Sequence, residues 1–322
     1  MTGSTVTIVD IAQALGISKT AVSSALHGRG RVSAATRERV LAQAEAMGYV
    51  SNRAAQRLRG GSHGAIGLHI PADVRELSFY MEFAFGAADV AAETGNDLLL
   101  LADTAAPRAG RRPSVDGLLA LDPAPSSFGE AIARVGPVPI VSVGDYEGPD
   151  RERVSAWIAA DHEGLVREVL DTLGSAGSAA PALVALEPER EPLWATHVVD
   201  GYRSWCAARG IESVLRRLPV TPEDEAIRSV LEDLAAAGAD SIVWVGQGLA
   251  MRARALWGET RSARTPRPIL ATMAAEPGSV GVLGIDLRAR DYGRSAARLL
   301  LRVISGEAEP GERVVHHARL LS

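Results

Sequence analysis

The chain has 322 residues, of which 47% are hydrophobic and 23% charged, enough apolar content for more than one cored domain. No apolar run is long enough to cross a bilayer, and the polar start lacks the charged-then-apolar order of a signal peptide, so a cytoplasmic protein without membrane contact is expected. Cys206 is alone, which excludes an intrachain disulfide, and it lies in a helical pattern that reads as a small buried thiol.

Charge is unevenly placed. Residues 1–62 carry eight Lys or Arg against three Asp or Glu, a balance of +5, which leaves −10 for the rest of a chain whose total is −5. A basic head on an acidic body suits a phosphate-binding module whose attached body duplex DNA repels.

In chain order, the first predicted helix starts at Thr7, whose hydroxyl can accept from an orphan amide while Asp10 bonds back. Ile8, Ile11 and Leu15 share its buried face, and Gly16 permits a sharp turn. Ser18 caps a second helix to about Leu26; Val22 and Leu26 point inward and leave Lys19, Thr20, Ser23, Ser24 and His27 outside as a surface able to read bases. A third helix follows Ser33, with Val40, Ala44 and Met47 as its apolar stripe and Gly48 as its stop. A three-helix cap or dimerisation element would share this pattern; the basic charge favours DNA.

Residues 51–61, SNRAAQRLRGG, are too few for a stable isolated helix, and Gly60 and Gly61 end them in a flexible joint. Two readings remain open on the residues alone. Paired copies fold on DNA, wedge Leu58 into a base step and bring Arg53, Arg57 and Arg59 to phosphates, or the segment is a solvated basic linker.

From residue 65, short apolar runs alternate with helix-length segments: AIGLHIP, DLLLLA, VDGLLAL, PIVSVG, then APALVAL, SVLRRLPV, SIVWVG and PILATMA. Buried parallel strands joined by helices are the expected solution, in two groups that separate near Asp161 with a cleft between them. The expected divisions are a helix-turn-helix head over 1–50, a hinge over 51–61 and a body over 62–322. Within the body, 62–158 with 286–308 should form one subdomain and 159–285 with 309–322 the other. Pro107, Gly110 and Pro113 make a regular helix over 102–114 improbable on steric grounds.

Motifs for catalysis are absent. GSHGAIG lacks the G-x-G start and precedes a strand, and no P-loop, zinc-ligand cluster or G-x-S-x-G elbow occurs. His316 and His317 are adjacent on a strand pattern, so they face opposite ways and read as packing and surface residues. His162 sits beside Asp161, a pair whose use as a general base requires spatial proof. The expectation is a non-enzyme with no cofactor and no metal.

The stretch IVDIAQALGISKTAVSSALHGRGRVSAATRERVLAQAEAMGY, the following SNRAAQRLRGG and then AIGLHIP strongly resemble the LacI family of bacterial transcription regulators, in order and spacing over almost the whole chain. The resemblance implies a small all-α helix-turn-helix head, a hinge helix and two α/β periplasmic-binding-protein-like subdomains. It also implies a homodimer, most simply a repressor, on a near-palindromic operator. By family position Lys19, Thr20 and Ser23 face the major groove, Ser18, Ser33 and Asn52 lie near the backbone, and Asn52, Ala55 and Leu58 occupy the hinge helix, which favours the wedge reading. The full DNA-facing set expected is Thr7, Ser18, Lys19, Thr20, Ser23, Ser24, His27 and Ser33, with Asn52, Arg53, Ala55, Arg57, Leu58 and Arg59. Ser24 departs from the Arg that many members use to read guanine, and a serine cannot make that bidentate contact.

The effector cleft departs further. The family's cleft Arg is Val198 here, its Asn-Asp pair is Gly246 and Gln247, and its Gly-Phe/Tyr-Asp-Asp run is Ala271, Thr272, Met273 and Ala274. These changes argue against a simple sugar as effector. The remaining candidates are Phe79, Asp145, Asp161, His197, Gln247 and Met273, with Asp161 equally well read as a helix cap. The alternative is a DNA-binding regulator without a small-molecule effector, controlled by a protein partner or by abundance. The segment 102–114 is also shorter than the family's crossover helix.

Overall fold

A computed structural model describes residues 6–27, 32–49, 62–74, 77–101, 113–187, 192–260, 267–276 and 278–321. The hinge expectations for Asn52, Arg53, Ala55, Arg57, Leu58 and Arg59, and those for most of 102–114, lie outside these residues. The chain forms two compact units, Met1–Ser62 and His63–Ser322.

The first unit contains α1 (Ile8–Leu15), α2 (Lys19–His27) and α3 (Ala34–Ala46). Thr7 and Asp10 form a capping box: the Thr7 hydroxyl accepts from the Asp10 amide at 3.4 Å, and the Asp10 carboxylate accepts from the Thr7 amide at 2.7 Å. Gly16 adopts φ +64° at the end of α1, where a side chain would be strained, and the chain turns directly into the Ser18 cap of α2. Ile11, Ala12, Val22, Ala25, Val40 and Ala44 form the buried core, closed around by Ile8, Leu15, Leu26 and Met47. Gly48 takes a positive φ just beyond α3 while the Tyr49 amide bonds back to the Ala44 carbonyl, which ends the helix where expected.

In the second unit, β1 (Ala65–His69), β2 (Asp97–Leu101), β3 (Gly117–Leu121), β4 (Ile140–Val143), β5 (Ala156–Ala160) and β11 (Glu312–His316) make one sheet in the order β11-β5-β4-β3-β1-β2, parallel throughout. The second sheet runs β12-β10-β9-β8-β6-β7. Its strands are β6 (Pro181–Leu186), β7 (Val214–Leu218), β8 (Ser241–Trp244), β9 (Ile269–Thr272), β10 (Leu283–Asp286) and β12 (Arg319–Leu321), of which β12 alone in this sheet pairs antiparallel. Helices α4 (Ser78–Glu93) and α10 (Ala289–Ser305) cover one face of the first sheet and α5 (Pro125–Val135) the other. Helices α6 (His162–Ser175) and α7 (Leu193–Arg209) cover one face of the second sheet, and α8 (Asp224–Ala236) and α9 (Leu249–Thr260) the other. The central strands β1, β3, β4, β6 and β8 are buried on both faces, as their unbroken apolar runs require, whereas the edge strand β2 exposes Leu99 and Leu100.

One expectation needs correction. Residues 309–322 do not all join the second subdomain: β11 extends the first sheet beside β5, and the chain crosses back only at Ala318 to add β12 to the second. The short run Arg313, Val314, Val315 fits an edge strand in either sheet, so composition could not assign it. Cys206 is buried in the core beneath α7 and its thiol is pushed up by burial, as a packing residue should be. His316 packs and His317 is exposed.

The first lobe depends on a close helix crossing. A methyl group on Gly86 of α4 would lie 1.9 Å from the Arg290 carbonyl oxygen, and one on Gly293 of α10 would lie 2.0 Å from that of Phe83. Backbone meets backbone there, so neither helix can yield by turning a side chain. Asp89 and Glu93 on α4 face Arg290 and Arg294 on α10 along the same seam. Gly86→Ala should therefore cost about 1–3 kcal/mol by overpacking. A thermal melt checks this, and an unchanged midpoint would contradict the crossing.

Candidate functional site

In the head, Lys19 and Thr20 are exposed on the first turn of α2, with Ser23 and Ser24 partly exposed on the next. Thr7, Ser18 and Ser33 each stand at a helix amino end. Ser18 Oγ accepts from the Ala21 amide at 3.1 Å and Ser33 Oγ from the Thr36 amide at 3.2 Å, which holds these helix ends in place. The His27 side chain lies outside the described residues.

In the body, the carboxyl ends of both sheets converge on one cavity of about 670 Å³, a size suited to a small organic ligand. Strand ends supply its polar groups: Asp122 follows β3, Gly144 follows β4, His162 follows β5 and Gln247 follows β8. Phe79, Tyr80, Trp194 and Tyr292 form an aromatic wall; Phe79 meets Tyr80 edge-on at 5.2 Å and Tyr292 at 6.4 Å. Among the described residues no lysine or arginine lines this space. Arg288, Arg290 and Arg319 line a neighbouring depression that shares Phe79 and Gln247 with it.

Asp122 sits at φ +44°, a left-handed conformation that Asp and Asn tolerate better than other side chains. Its carboxylate accepts the Tyr80 hydroxyl at 2.7 Å, and the Trp194 indole is a second donor. Loss of hydration outweighs these bonds and pushes its pKa up from 3.8 to about 6. His162 is buried against Trp194, its ring 5.2 Å away, and burial beside His197 pulls its pKa down to about 4, so it is neutral at pH 7. Its Nδ1 has no hydrogen-bond partner among the described residues. Tyr292 donates to the Ile158 carbonyl at 3.1 Å and stacks on His316 at 3.9 Å, while His316 Nε2 meets the Leu287 carbonyl at 2.7 Å, linking the two lobes behind the cavity.

At the front, Gln247 bridges the lobes. Its amide nitrogen donates to Ser78 Oγ at 2.7 Å and its oxygen accepts from the Phe79 amide at 3.4 Å, while Ser78 donates to Glu276 at 3.2 Å.

The sequence-derived candidates divide accordingly. Phe79, Gln247 and Met273 line the cavity, and Asp145, Asp161 and His197 do not. Asp161 caps α6 by accepting from the Gly164 amide at 2.9 Å. Asp145 pairs with Arg313 at 2.9 Å and lies 3.8 Å from His197, a cross-lobe contact outside the cavity. Asp122, Tyr80, His162, Trp194 and Tyr292 also line the cavity and were not among the candidates. The signal for Asp122 and His162 was their place just past an apolar strand run, where ligand sites of parallel sheets lie.

Head and body together define a two-lobed α/β protein that carries a helix-turn-helix unit. Residues 7–52 match the family described as bacterial regulatory proteins, lacI family. The similarity to that family is thus carried by the head. The maltose regulon regulatory protein MalI of Escherichia coli (strain K12) is 45% identical over 102 residues, a stretch that covers 31% of this chain and 29% of that protein. The chain thus spans less than a third of MalI's length in that match. The regulator CelR of Thermobifida fusca is 25% identical across 98% of this chain and 96% of its own. Among solved structures, the lac repressor dimer bound to operator and an anti-inducer has the same fold, with a TM-score of 0.78, 20% identity, and coverage of 99% of this chain and 98% of that one. A CelR–cellobiose complex gives a TM-score of 0.63 at 22% identity, with 98% of each chain covered.

The two shifted groups have opposite effects on stability. Asp122 binds a proton more tightly when folded, so its ionisation subtracts stability as pH rises from about 4 to about 6. His162 binds one less tightly when folded and subtracts stability as pH falls from 6.5 to about 4. Asp122→Asn, which keeps the shape and tolerates the positive φ, should raise stability at pH 7.5 by about 1–3 kcal/mol and change it little at pH 4. Denaturant titrations of both proteins at the two pH values check this; equal stability at pH 7.5 would remove the buried charge from the account.

Proposed function

We propose that the protein is a DNA-binding transcription regulator, a repressor that binds a near-palindromic operator as a homodimer and responds to a small molecule in the cavity between its lobes. The observation that carries the DNA-binding part is α2, held by the Ser18 cap with Lys19, Thr20, Ser23 and Ser24 directed outward, inside the segment that matches the lacI family. The basic head supports the same reading. For the homodimer, Met81 and Phe85, four residues apart on the outer side of α4, are exposed and give an apolar stripe suited to a second copy.

The cavity favours an effector over control by abundance alone, since a vestigial cleft would be expected to fill with side chains. A ligand that prefers one arrangement of the lobes shifts the population toward it, and only that difference in affinity can change operator binding. Gln247, which joins the lobes at the mouth, is placed to respond to such a shift.

Operator binding measured against salt concentration tests the DNA reading. The affinity should fall steeply as salt rises, and Lys19→Ala should reduce the log–log slope by about 1. A slope near zero would refute phosphate neutralisation by the head. For the hinge, Leu58→Ala should lower the ratio of operator to random-DNA affinity while sparing the latter, because the wedge acts only at the kinked operator centre. An unchanged ratio and an unchanged DNA bend would reduce residues 51–61 to a basic linker.

A further inference from the structure

We propose that the cavity binds a small organic cation, with an ammonium group against the Asp122 carboxylate and a compact ring-bearing body among Phe79, Tyr80, Trp194 and Tyr292. The proposal rests on the reading of this cavity as the effector site and specifies the chemistry of its ligand.

The argument begins with an incomplete charge. Asp122 lines the cavity and has two neutral donors, the Tyr80 hydroxyl at 2.7 Å and the Trp194 indole. A carboxylate has about four acceptor positions, so these donors leave room for others. No basic side chain among the described lining residues neutralises it, and the histidine that shares the space is held neutral. A carboxylate taken out of water without a counter-charge is costly, and a ligand that brings the missing cation recovers that cost on binding.

The surroundings suit the same ligand. Aromatic faces attract an ammonium group electrostatically, and the Phe79, Tyr80 and Tyr292 rings are already packed edge to face as a rigid wall. Leu121, Leu186, Val220 and Met273 continue the lining as apolar surface, which favours a hydrocarbon body. Gln247, at the mouth of the same lining, provides a second polar side chain that a hydroxyl or amide on the ligand would meet. A few polar groups on a largely apolar surface fix one orientation. They are too few for a polyol, whose every unpartnered hydroxyl would lose its hydration without return.

Calorimetric titration of the full chain, without DNA, tests the assignment with two amine–alcohol pairs of matched shape: 2-phenylethylamine with 2-phenylethanol, and tryptamine with tryptophol. Glucose and cellobiose serve as polyol probes. At pH 7.5 at least one amine should bind at least tenfold more tightly than its alcohol, and the sugars should give no heat. Its affinity should fall several-fold between pH 7.5 and pH 5 as Asp122 takes up a proton. Among the groups near Asp122, His162 is already neutral, burial shifts His316 toward its neutral form, and the Tyr292 hydroxyl is shifted up. Asp122→Asn should bring the amine down to the affinity of the alcohol. Equal binding of amine and alcohol, binding of neither, or sugar binding in their place would overturn the proposal, as would undiminished amine binding by Asp122→Asn. If circular dichroism shows that the variant has not folded, the pH profile of the unaltered protein decides. Failure here with salt-dependent operator binding intact removes only the ligand class, whereas amine binding without operator binding removes only the DNA reading.

Discussion

A parallel strand can be added to a sheet only by a crossover over one of its faces, so each new parallel strand starts at the same edge as the previous one and the carboxyl ends of the parallel strands lie along the other. The body obeys this constraint twice. Helices cover both faces of each sheet, which buries the strands and leaves the carboxyl edges as the places where polar groups escape the core. Asp122, Gly144, His162 and Gln247 occupy such positions, each just beyond a strand. The cavity is thus a consequence of strand direction, and its chemistry depends on a few residues that the strands need not specify.

Those residues are unusual in having few means of satisfying one another. Among the described residues, a carboxylate with two neutral donors and a wall of aromatic rings form a surface that is electrostatically incomplete. Several charges outside the cavity, by contrast, are matched: Arg294 meets Asp89 and Glu93, Arg302 meets Glu312, and Arg313 meets Asp145. The contrast is local, and it falls where the two sheet edges converge.

Much of the fold was legible because its signals are periodic or stereochemical. Thr7 with Asp10, Gly16 and Ser18 specify a cap, a turn and a second cap from residue type alone, and the structure contains each. The two α/β groups followed from apolar runs of strand length, with β5 ending at Ala160 just before Asp161. The placement of β11 was not legible, because an edge strand with alternating exposure fits either sheet, and only the packing of α10 on α4 brings the chain back beside β5. Phe79, Gln247 and Met273 were found by family position, which tracks the strand ends. Asp145 and His197 were not cavity residues because a polar residue near a cleft can equally serve a contact between lobes, as their 3.8 Å approach does. Asp122 had only its place past β3 as a signal and Trp194 had none; their pairing arises from a meeting of segments 72 residues apart in the chain.

The order of segments in the first lobe has a consequence for how the protein is made. That lobe is assembled from two separate pieces, one ending with β5 and one containing α10 and β11, with the whole second lobe between them. During synthesis the amino-terminal strands emerge well before the helix that covers α4 and the strand that closes the β5 edge. Until α10 arrives, the seam at Gly86 has no counterpart and β5 is an open template. The second lobe has most of its parts in one uninterrupted run and lacks only β12, so it is able to mature first while its neighbour waits. The nascent chain therefore passes through a stage in which the later-coded lobe is nearly complete and the earlier-coded one is exposed, a period when chaperone engagement or pairing with another unfinished copy would act on the first lobe.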